Sequence, residues 1–491
     1  MADIVLATLN ARYSHASLGL RCLLANLGPL RSRAEIIEFV IGARLESMAE
    51  TLLARQPLLL GLGVYIWNVE ETTRLVAILR RLAPELRIVV GGPEVSHETA
   101  EQAICRMADH VITGPAEAEF AALCRQTLDW RAGAATRPLT HVIPGGSGGP
   151  ETLVMPYPLY TDEDIAHRNL YIEASRGCPY RCEFCLSALD RTAVAFDTGR
   201  LLGELDTLYR RGARRFRFVD RTFNLRTDVS CAILQFFLDR NLADPAALCF
   251  AHFELVPDHL PEKLRELLPR FPAGTLQLEI GIQTWNPDIQ ALISRRQDNE
   301  RAQANLRWLR EQTTAHLHID LIVGLPGETI ESFGAGFDRL VALRPHEIQV
   351  GILKRLRGAP IARHTESSGM RYNPNPPYNV LATAAIDFPT MQRLARFARY
   401  WDLVANSGRF GSRLPQMLGD APFARFLAFS DWLWTRTDTT WRLAPERLAR
   451  LIDDWLISSG EISFHHGTPP KTGQRRRQDR HSGDRSPGQP A

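Results

Sequence analysis

Long apolar runs are missing from this sequence: no stretch reaches the roughly 18 residues that a membrane-spanning helix needs. An excess of one charge is missing too. Lys and Arg number 58 against 55 Asp and Glu in 491 residues, a net +3, so no strong field gathers nucleic acid or an anionic membrane. A second pair of closely spaced cysteines, which a structural zinc site would need, is also absent, because Cys22, Cys105, Cys124, Cys231 and Cys249 stand singly. The amino terminus "MADIVLATLNA" reads as a strand and not as a charged, then apolar, leader. A cytoplasmic protein is expected, with its eight cysteines serving as thiols or metal ligands.

What is present is alternation. "DIVLATL" (3–9), "AEIIEFV" (34–40), "LLLGLGVY" (58–65), "RIVVGGP" (87–93) and "HVITG" (110–114) read as buried parallel strands, separated by helical patterns such as "VEETTRLVAILRRLAP". Ligands of such doubly wound layers bind at the carboxyl ends of the strands, which here carry Asn10, Tyr65, Trp67, Asn68, Gly91, Gly92, Glu94, Gly114 and Glu117. Tight βα turns are the other use for the glycines among them. A Gly- and Pro-rich stretch around 143–164 reads as a linker. Six further strand and helix units follow, beginning at "LYIEAS" (170–175) and ending at "HEIQVGILK" (346–354), and suggest an open (β/α) barrel. From 361 the pattern turns helical and aromatic, from Trp401 to Trp455, as packing of a helical subdomain requires. Residues 467–491 are basic, rich in Pro, Gly and Ser, and expected to be disordered.

The densest chemistry lies just after the first barrel strand, in "RGCPYRCEFC", which holds Cys178, Cys182 and Cys185. Three thiolates on one tight loop can hold three irons of a 4Fe-4S cluster and leave the fourth open to a ligand.

The spacing Cys-x3-Cys-x2-Cys, with Phe184 before the last cysteine, resembles the signature of the radical S-adenosylmethionine superfamily. The resemblance covers about 165–360 and implies that the cosubstrate chelates the open iron. It implies that Gln283, in "EIGIQTWNPDIQALISRR", and Asp320, in "HIDLIVGLPGET", take the ribose hydroxyls. It likewise gives the methionyl carboxylate to Arg295, the ammonium to Glu254, and amino-group contacts to Asp220 and Thr222, where "FVDRTFN" departs from the family's Gly-Gly-Glu turn. The first layer is similar to the cobalamin-binding domain of one branch of the superfamily. It departs from the motif Asp-x-His-x-x-Gly, since Tyr13 replaces the Asp before His15. Either His15 is the lower cobalt ligand, or Tyr65, Trp67 or Asn68 lies beneath a cobalt that has no protein ligand. Nearly the whole chain, including "LKRLRGAPI", resembles a branch subgroup with its own C-terminal helical domain.

The expected architecture is therefore α/β: a Rossmann-like cobalamin-binding domain over 1–140, a linker over 141–168 and a partial (β/α)6 TIM-like barrel over 169–360. A mainly helical domain over 361–466 and the basic tail complete it. The resemblance implies a 4Fe-4S cluster, S-adenosylmethionine and cobalamin as cofactors, and methyl transfer to an unactivated carbon of a small molecule or peptide. It also implies a low-potential donor such as flavodoxin or ferredoxin. Rearrangement or oxidation without methyl transfer, tRNA methylthiolation and cobalamin carriage without catalysis are the competing readings.

Overall fold

The computed structural model of the chain describes residues 2–460 apart from 147, 148 and 191, so the expected tail lies outside the described residues. It divides into two compact units, Met1–Arg442 and Leu443–Ala491.

The first unit begins with a six-stranded sheet. Its strands are β1 (Ile4–Asn10), β2 (Ala34–Val40), β3 (Leu59–Gly63), β4 (Arg87–Gly91), β5 (His110–Thr113) and β6 (Val142–Pro144), in the spatial order β2-β1-β3-β4-β5-β6. Every pairing is parallel. All seven residues of β1 are buried, because both faces are covered. Val5, Ala7 and Leu9 pack with apolar residues of α2 (Leu45–Leu53), α3 (Val69–Leu82) and α4 (Ala103–Met107). Ile4 and Leu6 face the other way, toward α1 (Leu18–Ala25) and α5 (Glu117–Arg131). The two-residue period of a strand produces this split. In α3, Glu70 and Glu71 in the first turn and Arg80 and Arg81 in the last complement the helix dipole.

The stretch 141–168, expected as a linker, contributes structure of its own. Val142–Pro144 pairs with β5 as the sixth strand, satisfying an edge that would otherwise be open. The short helix α6 (Asp162–His167) starts in a capping box made by Thr161 and Asp164. Asp164 then meets buried Arg21 at 2.7 Å, so this segment is clamped to the first layer.

The second sheet is a parallel array of β7 (Leu170–Ile172), β10 (Arg215–Phe218), β11 (Phe250–Leu255), β12 (Leu276–Gln283), β13 (His316–Val323) and β14 (Glu347–Ile352), in that order. A small ribbon, β8 (Ser175–Arg176) with β9 (Val194–Ala195), brackets the cysteine loop. Between the strands run α7 (Thr198–Arg210), α8 (Thr227–Ala243), α9 (Glu262–Leu267), α10 (Pro287–Leu292), α11 (Asn299–Gln312) and α12 (Ile330–Ala342). Along β12, Leu276, Leu278, Ile280 and Ile282 are buried, whereas the alternate face of Glu279, Gly281 and Gln283 looks into a cavity.

After β14 a two-stranded hairpin, β15 (Arg371–Tyr372) with β16 (Val380–Ala382), interrupts the expected helical region. Helix α13 (Phe388–Trp401) runs into a π-turn at Asp402–Asn406, followed by α14 (Leu414–Leu418) and α15 (Pro422–Thr437). Trp401 packs edge-to-face with Phe337 of α12, Phe426 packs edge-to-face with Phe397 and Trp401, and Phe423 tilts against Phe337, so this part of the aromatic run is core while Trp441 stays exposed. In the second unit, α16 (Pro445–Ser458) carries the apolar stripe Leu448, Ile452 and Leu456. Among the described residues, no helix is long and apolar enough to cross a membrane.

Candidate functional site

A cavity of about 220 Å³ opens at the carboxyl ends of the barrel strands. Its wall includes all three cysteines of the loop that follows β8. That loop turns at Gly177, whose φ is +92° and whose added Cβ would stand 1.9 Å from the Thr192 carbonyl oxygen, so no other residue fits there. Backbone bonds from Cys178 to Asp190 and from Glu183 to Ile293 hold the loop open toward the cavity. Cys178 and Cys182 are buried and Cys185 is half-buried. Burial pushes the Cys178 and Cys182 thiols up, and at Cys182 the Arg295 guanidinium opposes it from 3.5 Å. Among the described residues, no group of three His, Cys, Asp or Glu is placed to hold a single metal ion.

Phe184, Thr222, Glu254, Gln283, Arg295 and Asp320 all line the same cavity. Glu254 lies 2.7 Å from Arg221, and burial raises its carboxyl despite that partner. Gln283 sits at a bulge in the pairing of β12 with β13, with a left-handed φ of +68°. Its side-chain nitrogen occupies the space where a Cβ at position 281 would be, so a larger residue there would displace the Gln283 side chain. A left-handed non-glycine residue in a strand stores strain of a kind concentrated at functional sites. Asp320 Oδ1 lies 3.1 Å from His318 Nε2 as an ion pair, though the two are misaligned for a hydrogen bond. Pulled by Asp320 and by Glu347 at 3.3 Å, His318 is pushed up to about 10 against its burial.

Asp220 departs from expectation. Its oxygens accept from the Ala174 amide at 2.9 Å and from the Ser175 hydroxyl, and it does not line the cavity. Burial pushes it up to about 6. The carboxylate is consumed in holding the backbone that leads into the cysteine loop.

A second cavity, of about 320 Å³, lies at the carboxyl ends of the first sheet. Tyr65, Gly91, Gly92, Gly114 and Glu117 line it, as the strand-end rule anticipates. Gly92 has φ +112°, and an added Cβ would come 2.5 Å from the Val64 carbonyl oxygen. Replacing Gly92 by Ala is therefore expected to cost about 1–3 kcal/mol of local strain and to weaken retention of a corrinoid on gel filtration. Full retention would show that this wall is not used.

The other expected contacts of this layer turn elsewhere. Asn68 is 1% exposed; its Oδ1 accepts from the Tyr65 amide at 2.8 Å and its Nδ2 donates to the Leu9 carbonyl at 3.0 Å, so it fastens the loop. Trp67 donates to the Leu9 carbonyl and stacks on Tyr65 with ring centroids 4.4 Å apart, backing the cavity wall without forming it. Asn10 is bonded to the His15 carbonyl and to Glu38. Glu94 pairs with Arg357 and Tyr378. The His15 Nδ1 is engaged by the Tyr171 hydroxyl, burial pulls its pKa down, and it lines neither cavity.

Sequence reasoning missed Arg176 and Glu173. Both come from the start of the barrel, yet they line the cavity of the first sheet. Arg176 binds Glu173 at 2.8 Å and Glu117 at 3.0 Å. Its position two residues before Cys178 was the available signal, but its partner Glu117 is visible only in the fold. Glu279 and Arg221, also cavity-lining, were missed for the same reason.

Residues 4–124 match the B12 binding domain and residues 172–340 the radical SAM superfamily. The cobalamin-dependent radical SAM methyltransferase TokK of Streptomyces tokunonensis is 25% identical over 374 residues, which are 68% of this chain and 52% of that protein. The 2-(S-pantetheinyl)-carbapenam-3-carboxylate methyltransferase of Streptantibioticus cattleyicolor is 25% identical over 62% of this chain and 48% of its own length. The chain thus spans about half the length of these curated relatives. Among solved structures, the radical S-adenosylmethionine methyltransferase TsrM of Kitasatospora setae superposes with a TM-score of 0.61 at 18% identity, over 79% of this chain and 82% of its own. The cobalamin-dependent S-adenosylmethionine radical enzyme OxsB gives 0.59 at 14% identity, over 93% and 79%. These two likenesses concern the fold.

Proposed function

Because this chain carries a B12 binding domain followed by a radical SAM domain, we propose that it is a cobalamin-dependent radical S-adenosylmethionine methyltransferase acting on an unactivated carbon. The observation that carries the reading is one cavity lined by the three cysteines of a single loop together with Glu254, Gln283, Arg295 and Asp320. The residues present fit the implied groups: Cys178, Cys182 and Cys185 for a 4Fe-4S cluster, the barrel cavity for S-adenosylmethionine, and the glycine-walled cavity for cobalamin. When bound, the cluster supplies a low-potential electron and the corrinoid a transferable methyl group.

The chain's own residues do the positioning. The Arg295 guanidinium lines the cavity while donating to Gln297 and the Gly281 carbonyl, and would exchange Gln297 for a methionyl carboxylate; Glu254 takes the ammonium, sharing its charge with Arg221. Gln283 and Asp320 take the ribose hydroxyls. Phe184, next to Cys185, and Thr222 line the cavity beside the cysteines and would pack against a bound cosubstrate. Tyr65, backed by Trp67, forms the apolar seat of the corrin. Gly91, Gly92, Gly114 and Glu117 complete that seat.

In this reading the domains run 1–140 for cobalamin, 169–360 for the barrel and 361–466 for the helical region that selects the substrate, a small molecule or peptide. The enzyme is cytoplasmic and takes electrons from a flavodoxin or ferredoxin.

The test is anaerobic reconstitution with iron, sulfide and cobalamin, followed by incubation with methyl-labelled S-adenosylmethionine, a reductant and cell metabolites. Release of 5'-deoxyadenosine together with a labelled product is expected. Deoxyadenosine without labelled product would replace methyl transfer by rearrangement or oxidation, and no cleavage at all would remove the enzyme reading. Asp320→Asn, which keeps the volume but weakens the acceptor, is expected to lower S-adenosylmethionine affinity about tenfold by equilibrium dialysis. Unchanged affinity would take Asp320 out of the site.

A further inference from the structure

Residues 353–364, which follow β14 and contain the sequence "LKRLRGAPIARH", grip a residue beside each cavity. At one end Arg355 lies 2.8 Å from Glu98, and Arg357 lies 3.0 Å from Glu94 and 2.8 Å from Glu98. The Tyr378 hydroxyl donates to Glu94 at 2.6 Å, and the Arg357 guanidinium rests over its ring. Glu94 is buried and stands two residues beyond Gly92, which lies in the wall of the cavity at the first sheet. The seat is close: Gly358 has φ +81°, and an added Cβ would lie 2.3 Å from the His97 ring.

At the other end the Ile361 amide donates to the Glu183 carbonyl at 2.9 Å. The His364 Nε2 is 2.7 Å from Glu183 Oε2, and Arg363 pairs with Oε1. Glu183 is 2% exposed and sits between Cys182 and Cys185.

A buried carboxylate is costly unless it is paired. Glu94 lies in the turn after β4 of the first sheet and Glu183 in the cysteine loop, yet one short segment supplies cationic partners to both. Lifting that segment would leave charges unpaired on both sides at once, so its seating is all-or-none across the two cavities.

We infer that residues 353–364 are a strap that fixes the cavity wall at Gly91–Gly92 relative to the cysteine loop, with Arg357 and His364 as its positioning residues; this rests on the reading of the two cavities as corrinoid and cluster sites. Neither residue touches the reacting groups. The strap sets their separation, which methyl transfer between two held centres requires to be constant.

The test uses the full chain carrying cobalamin and the cluster, reduced so that cob(II)alamin and the cluster are both paramagnetic, and reads the magnetic interaction between them by EPR. One well-defined spin–spin splitting is expected for the parent. Arg357→Met with His364→Gln is expected to broaden or split it, while iron content, corrinoid content and far-UV circular dichroism keep the parent's values. Glu94→Gln with Glu98→Gln removes charge with little change of shape and is expected to broaden it in the same way; Arg357→Lys is expected to restore part of the parent signal. If the Glu94→Gln, Glu98→Gln protein takes up both cofactors and keeps the parent splitting, the strap is overturned. A parent protein that takes up neither overturns the reading of the cavities, and the strap with it.

Discussion

Cys182→Ala protein, reconstituted anaerobically beside the parent, is expected to lose its iron–sulfur absorbance and its release of 5'-deoxyadenosine essentially completely. Of the three cysteines, Cys182 is the one with a cation at its sulfur, the Arg295 guanidinium 3.5 Å away. The cation favours the thiolate that iron requires, against a burial that opposes it. The loop has no reserve ligand. Cys22, Cys105, Cys124, Cys231 and Cys249 line no part of the barrel cavity, so none can replace the lost sulfur. Corrinoid uptake should survive, because that cavity is walled by other residues. Iron content, EPR of the reduced protein and deoxyadenosine assay read the three outcomes separately. Persisting cleavage of S-adenosylmethionine would defeat the assignment of the loop.

Arg21→Met is expected to be the most damaging substitution for stability, by about 3–5 kcal/mol in urea unfolding, because it strands two buried carboxylates. Arg21 is 3% exposed and lies 3.0 Å from Glu38 and 2.7 Å from Asp164, with its guanidinium over the Tyr160 ring. Met keeps the stem and removes only the charge. Arg168, 2.8 Å from Glu38, remains as a partial substitute and keeps the loss from being larger. Burial pushes Glu38 and Asp164 up, but the charge and hydrogen bonds of Arg21 outweigh it, and both are held below the usual carboxylate range. A carboxylate depressed in the folded state contributes stability above its unfolded pKa of about 4, and that stability is lost as pH falls through the folded value. The parent should therefore lose stability on acidification below about pH 4, and Arg21→Met should lose less over the same interval. Equal acid sensitivity in the two proteins would show that the network is not what Arg21 holds.

The strands were legible because parallel strands covered on both faces are written as continuous apolar runs, as in "IVLATLN" and "RIVVG". The cysteine loop was legible because its three ligands are local in sequence. What escaped was pairing over long separations. Arg176 meets Glu117 across 59 positions and Arg357 meets Glu94 across 263, distances at which no sequence pattern marks a partner. Asn68 and Glu94 looked like ligand contacts from their places at strand ends. Asn68 closes its own loop with backbone bonds, and Glu94 is committed to the segment after the barrel. The strand at Val142–Pro144 was hidden by the glycines and prolines around it, since an edge strand needs few apolar residues to pair.

The triad of Glu117, Arg176 and Glu173 bears on how such a protein can be rebuilt. Two acids share one guanidinium, one donated by the first layer and one by the root of the barrel. The seam between the two modules is thus marked by a shared charge and not by the chain stretch that separates them. A graft that exchanged the first layer for a relative's, cutting anywhere in 141–168, would bring a new position 117 against an old Arg176. Modular replacement is expected to keep the seam intact where the acid is exchanged together with its cation, so the two modules act as one electrostatic unit even though the sequence spells them as two.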